Sequence, residues 1–435
     1  MNRRNLLHLT GASALPALAS QFPFPAGAEE ADILKFSETL VPARAITKGP
    51  SFHWFGYYDK LQFDPTNRFV LSNQVDFEGR TPTAEDRIRV GMVDIEDGDK
   101  WIEIGKSDAW GWQQGCMLQW LPGSSSRVVW NDREKDRFVC RIHDIETGET
   151  RTVPRPVYAL SADGRWGVSA DFARIQNLRP GYGYQGVDDP VRAERNPASS
   201  GIWRVDMESG ESDLIISLEQ LSEIPYRGKP LTDQWNYVNH LLVSPDSKRF
   251  IFLHRWRAKG PDDPEFAVNN GFVTRMFTAN LDGSDLYVLD PSGYTSHFIW
   301  RDPEHVCAWT KPDGMESRFY LFKDKTDQVE LVGEEKMPVN GHNTYLPVGN
   351  GVDWILNDTY PRGVRRQQIP YLYHVPTDTR HDLARFHSPP AYKGEWRCDT
   401  HPRSSNDGHL VCVDSPHGGN GRQLWLLDVS EIVSG

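Results

Sequence analysis

The sequence predicts an all-β fold: a seven-bladed β-propeller whose last blade is closed by an N-terminal strand. Three observations predict it. One phrase, an apolar strand followed by a tight turn and a second apolar strand, recurs seven times. A second hairpin follows most copies. The chain then ends after the third strand of the last copy, so a fourth must come from elsewhere.

The seven copies include "YYDKLQFDPTNRFVLS" (57–72), "NHLLVSPDSKRFIFL" (239–253) and "THPRSSNDGHLVCVD" (400–414). Their turns align at Pro65, Pro122, Ala162, Pro245, Asp302, Pro347 and Asn406, with gaps of 57, 40, 83, 57, 45 and 59 residues. A four-stranded blade needs about 40–45 residues, so the wider gaps carry loops. The outer hairpins are "VDIEDGDKWIEI", "CRIHDIETGETRTV", "WRVDMESGESDLI", "FTANLDGSDLYVL", "YLFKDKTDQVELV" and "YHVPTDTRHDLA", each alternating about a polar turn. In the last copy "RQLWLLDVS" (422–430) is the third strand, and "ADILKFSET" (31–39), within 31–41, is the expected donor of the fourth.

At the N-terminus, "MNRRNLLHLTGASALPALAS" has Arg3 and Arg4 before a weakly apolar stretch and small residues, the pattern of a twin-arginine export signal. Cleavage after Ala28, or nearer Ala19, leaves residues 29–435 as one domain in the periplasm or outside the cell. Removing residues 1–28 takes away two arginines and no acids, moving the net charge from −12 to −14. So acidic a chain is a poor partner for nucleic acid or an anionic membrane. A local cationic site for an acidic sugar remains open. No run of 18 apolar residues exists, so no membrane span is expected. Cys116, Cys140, Cys307, Cys398 and Cys412 form no CxxC pair, lie among apolar neighbours, and are expected as buried thiols without disulfides.

The chemistry lies five residues before each turn. Those slots hold Lys60, Met117, Val157, His240, His297, His342 and His401: four histidines in four consecutive repeats, from only 14 in 435 residues. Equivalent slots lie at equal height around a propeller axis, so the imidazoles are expected to converge at one mouth of the channel. Imidazole is both a metal ligand and an acid–base group. Asp399, two residues before His401, points to the same side of a strand. Each histidine taken alone reads as a hydrogen-bonded core residue; the ring of four reads as a site.

Arg255 and Arg257 in "LHRWRAK", and Arg397, are candidate cationic groups for a sugar carboxylate, or else strand-edge charge. The insertion "ARIQNLRPGYGYQGVDDPVRAERNPASSG" (173–201) offers Tyr182 and Tyr184 for stacking on a sugar, as a lid or as a floppy loop. "GYYDK" brings Tyr57, Tyr58, Asp59 and Lys60 near the slot of the first repeat, and "WQQG" brings Gln113 and Gln114 near that of the second, to bind sugar hydroxyls or merely to satisfy the channel backbone.

The repeat phrase, the His297…His342 spacing and the stretch Cys398–Asp399–Thr400–His401–Pro402 resemble the oligogalacturonate lyases, seven-bladed propellers of the TolB-like superfamily that bind manganese. The resemblance implies an exported polysaccharide lyase acting by metal-assisted β-elimination on an acidic, uronate-containing oligosaccharide. It makes His297 the base and His342 and His401 metal ligands. Asp399 stands where that family has a further histidine, and Trp396 where it has a glutamine. Asp399 is a sound ligand for a hard cation and Trp396 is none. His240 is then expected as a further ligand or a second catalytic group, with Arg255 assisting catalysis. Tyr58, Lys60, Gln114, Tyr182, Tyr184, Arg257 and Arg397 are expected to bind substrate. Manganese is the ion the resemblance implies, with zinc or calcium as alternatives. Two other readings stand beside it: a non-catalytic TolB-like propeller that binds a glycan or protein, and a metal-dependent propeller hydrolase.

Overall fold

The computed structural model describes residues 36–266 and 271–434. The export signal expected in residues 1–28 lies outside them. The chain forms seven four-stranded antiparallel sheets and one small three-stranded sheet. The seven follow one another along the chain. The first starts at Phe52–Trp54 and Phe69–Val75, the fourth pairs Trp235–Val243 with Arg249–Arg257, and the fifth pairs Phe298–Asp302 with His305–Thr310. The outer hairpins fall where the sequence places them, for example Arg318–Lys323 with Val329–Val332.

Both faces of each sheet are covered, which explains the near-continuous apolar strands. Successive side chains point to opposite faces. In the fifth sheet Val306, Ala308, Tyr320 and Phe322 pack toward Ile251, Leu253 and Met276 of the fourth. Their neighbours Cys307, Phe319 and Leu321 pack toward Ile355 and Tyr373 of the sixth. The same arrangement joins the sixth sheet to the seventh through Leu356 and Val411. Cys412 and Leu424 of the seventh share a cluster with Val70 and Leu71 of the first. All five cysteines are free and buried in these layers.

Side-chain turns set the register. Ser244 Oγ donates to Asp246 Oδ1 at 2.7 Å and accepts from Arg249 N at 3.0 Å, and Ser405 accepts from Leu410 N at 3.0 Å. These are the Ser/Asp turns that make the repeated phrase legible.

The fourth strand of the last sheet differs from expectation. It is Ala43–Ala45, paired with Gln423–Asp428 through Ala43↔Leu427 and Ala45↔Trp425. Residues 31–35 lie outside the described residues. Glu38–Thr39 pairs instead with Ala384–His387. Ala43–Ala45 is an edge strand, and an edge tolerates the preceding Pro42. The apolar alternation of 31–39 pointed to the more strand-like but wrong segment. No helix among the described residues is long and apolar enough to cross a membrane.

Candidate functional site

Slot residues from Met117 onward sit in or just before the first strand of their sheet, whereas Lys60 follows Phe52–Trp54. Met117, His240 and His401 have left-handed backbones, with φ of 56°, 52° and 38°. Polar residues in or just after second strands hold the backbone near other slots. Asn73 Nδ2 donates to Phe55 O at 2.8 Å, and Asn131 Nδ2 donates to Val157 O at 2.7 Å. Asp358 Oδ1 accepts from His342 N at 2.8 Å.

Three of the four imidazoles, His297, His342 and His401, meet ring to ring, and His240 is separated from them by tyrosines. Ring centroids of His297 and His342 are 4.3 Å apart, and those of His342 and His401 4.2 Å. Tyr57 and Tyr58 fill the axis between them: Tyr57 lies 4.8 Å from His240 and 5.4 Å from His401, and Tyr58 lies 5.4 Å from His342. Gly56 makes this possible. Its φ is 117°, and a Cβ there would lie 2.8 Å from the Gln114 backbone.

His342, Asp399 and His401 are buried, and one ligand atom from each lies within 4.8 Å of the others. The chemistry of the donors fits a divalent cation. His342 Nδ1–H donates to the Asp358 carboxylate at 2.9 and 3.0 Å, which leaves the Nε2 lone pair free. Thr400 Oγ1 also donates to Asp358. Burial disfavours a charged His342, but Asp358 outweighs it and holds the imidazole above its ordinary pKa. Asp399 Oδ2 accepts from Arg397 Nε at 2.7 Å, whereas Oδ1 is buried with no partner. Neither ring nitrogen of His401 makes a hydrogen bond among the described residues. Two imidazole nitrogens and an orphaned carboxylate oxygen thus form a ligand set for Mn²⁺ or Zn²⁺. Trp396 Nε1 donates to Ala391 O at 3.1 Å and contributes no ligand.

His240 does not join that set. Its Nδ1 lies 3.4 Å from Tyr57 OH, and its Nε2 lies 3.4 Å from both Tyr58 OH and Asp59 Oδ2. Its ring stacks on Phe298 at 4.0 Å. With both nitrogens engaged and two tyrosines in between, it stands apart as a fixed, neutral group. Burial lowers its pKa to about 4 despite Asp59. His297 is differently placed. Its Nδ1–H donates to Asn340 Oδ1 at 3.0 Å, and the Asn340 amide is itself oriented by donating to Ser296 Oγ at 3.2 Å. That leaves the Nε2 lone pair toward Tyr360 OH, 3.4 Å away.

The other expected residues divide. Arg397 donates through Nη2 to Tyr182 OH at 2.8 Å, so it bridges Tyr182 and Asp399. Lys60 Nζ donates to Asp59 Oδ1 at 2.9 Å, and Gln114 Oε1 accepts from Tyr158 OH at 2.9 Å, leaving Gln114 Nε2 orphaned. Tyr184 does not face the mouth. It stacks on Phe172 at 4.3 Å within the core and accepts from Asn131 Nδ2 at 3.0 Å, so it anchors the insertion. Arg257 is structural too: Nη1 donates to Leu178 O at 2.7 Å, and the guanidinium covers Phe266. The insertion is held rather than floppy. Its helix Phe172–Leu178 is capped by Asp171, and Arg174 Nε donates to Asn236 O at 2.9 Å.

Sequence reasoning missed Asp358, Asn340, Arg179 and Tyr237. Asp358 had a signal: a carboxylate after the apolar run "WIL", where the seventh sheet has Asp414, which holds Arg403 at 2.8 Å.

Neither a protein-family model nor a curated protein matches the sequence. Two solved structures match over almost the whole chain. Oligogalacturonate lyase from Vibrio parahaemolyticus is 14% identical with a TM-score of 0.61, covering 91% of this chain and 97% of its own. An oligogalacturonate lyase in complex with manganese is 14% identical with a TM-score of 0.64, covering 92% and 96%. The protein therefore shares the fold of these lyases.

Proposed function

We propose that the seven sheets are the blades of one propeller, residues 29–435, closed by Ala43–Ala45 and exported under the signal in residues 1–28. Its histidine-lined mouth is the active site of a lyase that cleaves uronate-containing oligosaccharides by metal-assisted β-elimination. One observation carries this reading: the ligand set His342, Asp399 and His401 lies beside His297, an imidazole that burial keeps neutral and whose Nε2 has only Tyr360 OH, at 3.4 Å, near it. The shared fold with a manganese-binding oligogalacturonate lyase supports it.

A divalent cation held by His342, Asp399 and His401 would supply positive charge opposite the sugar carboxylate, where negative charge develops as the C5 proton leaves. The protein's own groups do the rest. Asp358 and Arg397 fix His342 and Asp399 from behind. Asn340 holds His297 in the tautomer that presents Nε2, which takes the C5 proton. The C5–H electrons form the C4=C5 double bond as the C4–O bond breaks, and the departing oxygen takes a proton from water. Tyr182 and Gln114 offer contacts for sugar hydroxyls.

Elemental analysis of the purified protein, followed by the unsaturated-uronate absorbance with a panel of polyuronates, tests this. Bound divalent metal and chelator-sensitive product formation are expected. Product formation unaffected by complete metal removal would overturn the metal-assisted step. Tight glycan binding without unsaturated product would make the mouth a binding site instead.

A further inference from the structure

Tyr57, Tyr58, Tyr182 and Tyr360 gather at the mouth, and one of the four is held differently. Helix Phe172–Leu178 ends at Arg179, whose N–H donates to Ile175 O at 2.7 Å. Tyr182 N then donates to Arg179 O at 3.3 Å, and this turn brings the Tyr182 ring over the Arg179 guanidinium, 4.2 Å from the ring centroid. Gly181 lets the turn lie against the loop that leads into the seventh sheet: its φ is 91°, and a Cβ there would lie 2.7 Å from Glu395 Cβ. From that loop Arg397 Nη2 donates to the Tyr182 hydroxyl oxygen at 2.8 Å, while Arg397 Nε donates to Asp399 Oδ2 at 2.7 Å. Arg397 also lies 6.0 Å from the Tyr360 ring centroid, and Tyr360 OH is the neighbour of His297 Nε2. One guanidinium is thus shared by Tyr182 and the ligand set and stands beside the tyrosine next to the base. The Tyr182 oxygen accepts from it, but the Tyr182 O–H donates to nothing among the described residues.

Electrostatics separate Tyr182 from its neighbours in the same way. Burial pushes Tyr57, Tyr58 and Tyr360 well above the ordinary phenol range. At Tyr182 burial acts in the same direction, but the Arg397 charge and then the Arg179 charge outweigh it and bring the phenol down to about 7. The other titratable groups facing it are Asp399, which opposes its ionisation, Tyr57, Tyr360 and Arg255. Neighbouring cations favour the phenolate, and an acid is most effective when its pKa lies near the working pH.

We infer that Tyr182 is the general acid that protonates the departing glycosidic oxygen. This assignment rests on the lyase reading. As His297 takes the C5 proton and the C4–O bond breaks, the Tyr182 O–H bond breaks too. Its proton passes to the departing oxygen and its electron pair stays on the phenolate. Arg179 and Arg397 hold the phenolate until water returns the proton, so water remains the ultimate source. The two arginines are positioning residues, which place the phenol and set its charge without touching the leaving group.

Two substrates test this on the metal-loaded, full-length mature protein: a diuronate, and a uronate carrying para-nitrophenoxide at C4, whose leaving group needs no proton. Tyr182→Phe, which keeps the ring, should retain its metal and lower turnover of the diuronate by about 10²–10⁴-fold, but that of the aryl substrate by about threefold or less. With the diuronate, wild-type kcat/KM should fall as the pH rises through about 7, and Arg179→Met should move that fall to higher pH. On the chelator-treated protein, tyrosinate absorbance should show one phenol ionising in the same range, absent from Tyr182→Phe and moved up in Arg179→Met. Equal losses on both substrates, undiminished turnover of the diuronate, or a tyrosinate signal unchanged in Tyr182→Phe overturns the assignment while the wild type remains a lyase. Absence of unsaturated product from both substrates with the wild type overturns the lyase reading itself, and this assignment with it.

Discussion

The mouth has two sides that differ in what they lack. On one side His342, Asp399 and His401 present acceptors, each braced from behind by Asp358, Arg397 or the bent backbone. On the other, Arg179 Nε, Arg255 Nε and the Tyr237 hydroxyl are buried without an acceptor. Folding left lone pairs unpaired on the first side and N–H and O–H groups unpaired on the second. Buried polar groups are rarely left so, and the two deficits are opposite in kind.

The largest effects should come from the acceptor side, where loss of a ligand and loss of the base separate. His342→Ala and His401→Ala are expected to abolish both metal content and turnover. His297→Ala should keep the metal and lower turnover by about 10²–10⁴-fold, the usual cost of losing a general base. Elemental analysis beside an initial-rate assay reads both. If His297→Ala turns over normally, the base assignment fails. If it loses its metal, His297 belongs to the ligand set and the contrast drawn within this side is wrong.

A smaller effect is expected one residue behind the ligands. Asp358→Asn keeps the shape and an oxygen acceptor but removes the charge that orients His342. Such changes lower metal affinity by about 10–100-fold, and a competitive chelator titration would measure it. Unchanged metal affinity would mean that Asp358 serves only to hold the His342 backbone.

How far each side was legible follows from the repeat. The histidines occupy one repeated slot, so alignment alone brought His240, His297, His342 and His401 together. Period carries no information about which way a ring nitrogen is already committed, and so His240 was counted as a ligand. Arg179 and Tyr237 were not legible. Arg179 lies in the insertion 173–201, which has no counterpart in the other repeats. Tyr182 and Tyr184, two residues apart in a glycine-rich loop, have no strand alternation to say which one is buried. The closing strand failed for a related reason: three residues with only one face covered carry little pattern, and 31–39 carried more.

The smallest effect expected is a dependence of stability on pH. Burial lowers the pKa of His240 to about 4, of His53 to about 4 and of His417 to about 3, against an ordinary value of 6.5. Unfolding restores the ordinary value, so between pH 6.5 and 4 the unfolded chain binds more protons than the native one. Stability therefore rises with pH across that window, levels off for these groups above it, and is lost as the pH falls. Against burial, Lys60 and His240 hold Asp59 near 2, and the Arg80 hydrogen bond holds Asp86 near 2, so their contributions are lost only as the pH falls below about 4; burial raises Asp171 and Asp414, which oppose the histidine slope. Melting temperature measured from pH 7 to pH 4 should fall by several degrees. His240→Gln, which does not titrate, should flatten part of that slope, while His53→Gln and His417→Gln, away from the mouth, should flatten the rest. A slope unchanged in His240→Gln would mean that the imidazole is already charged beside Asp59.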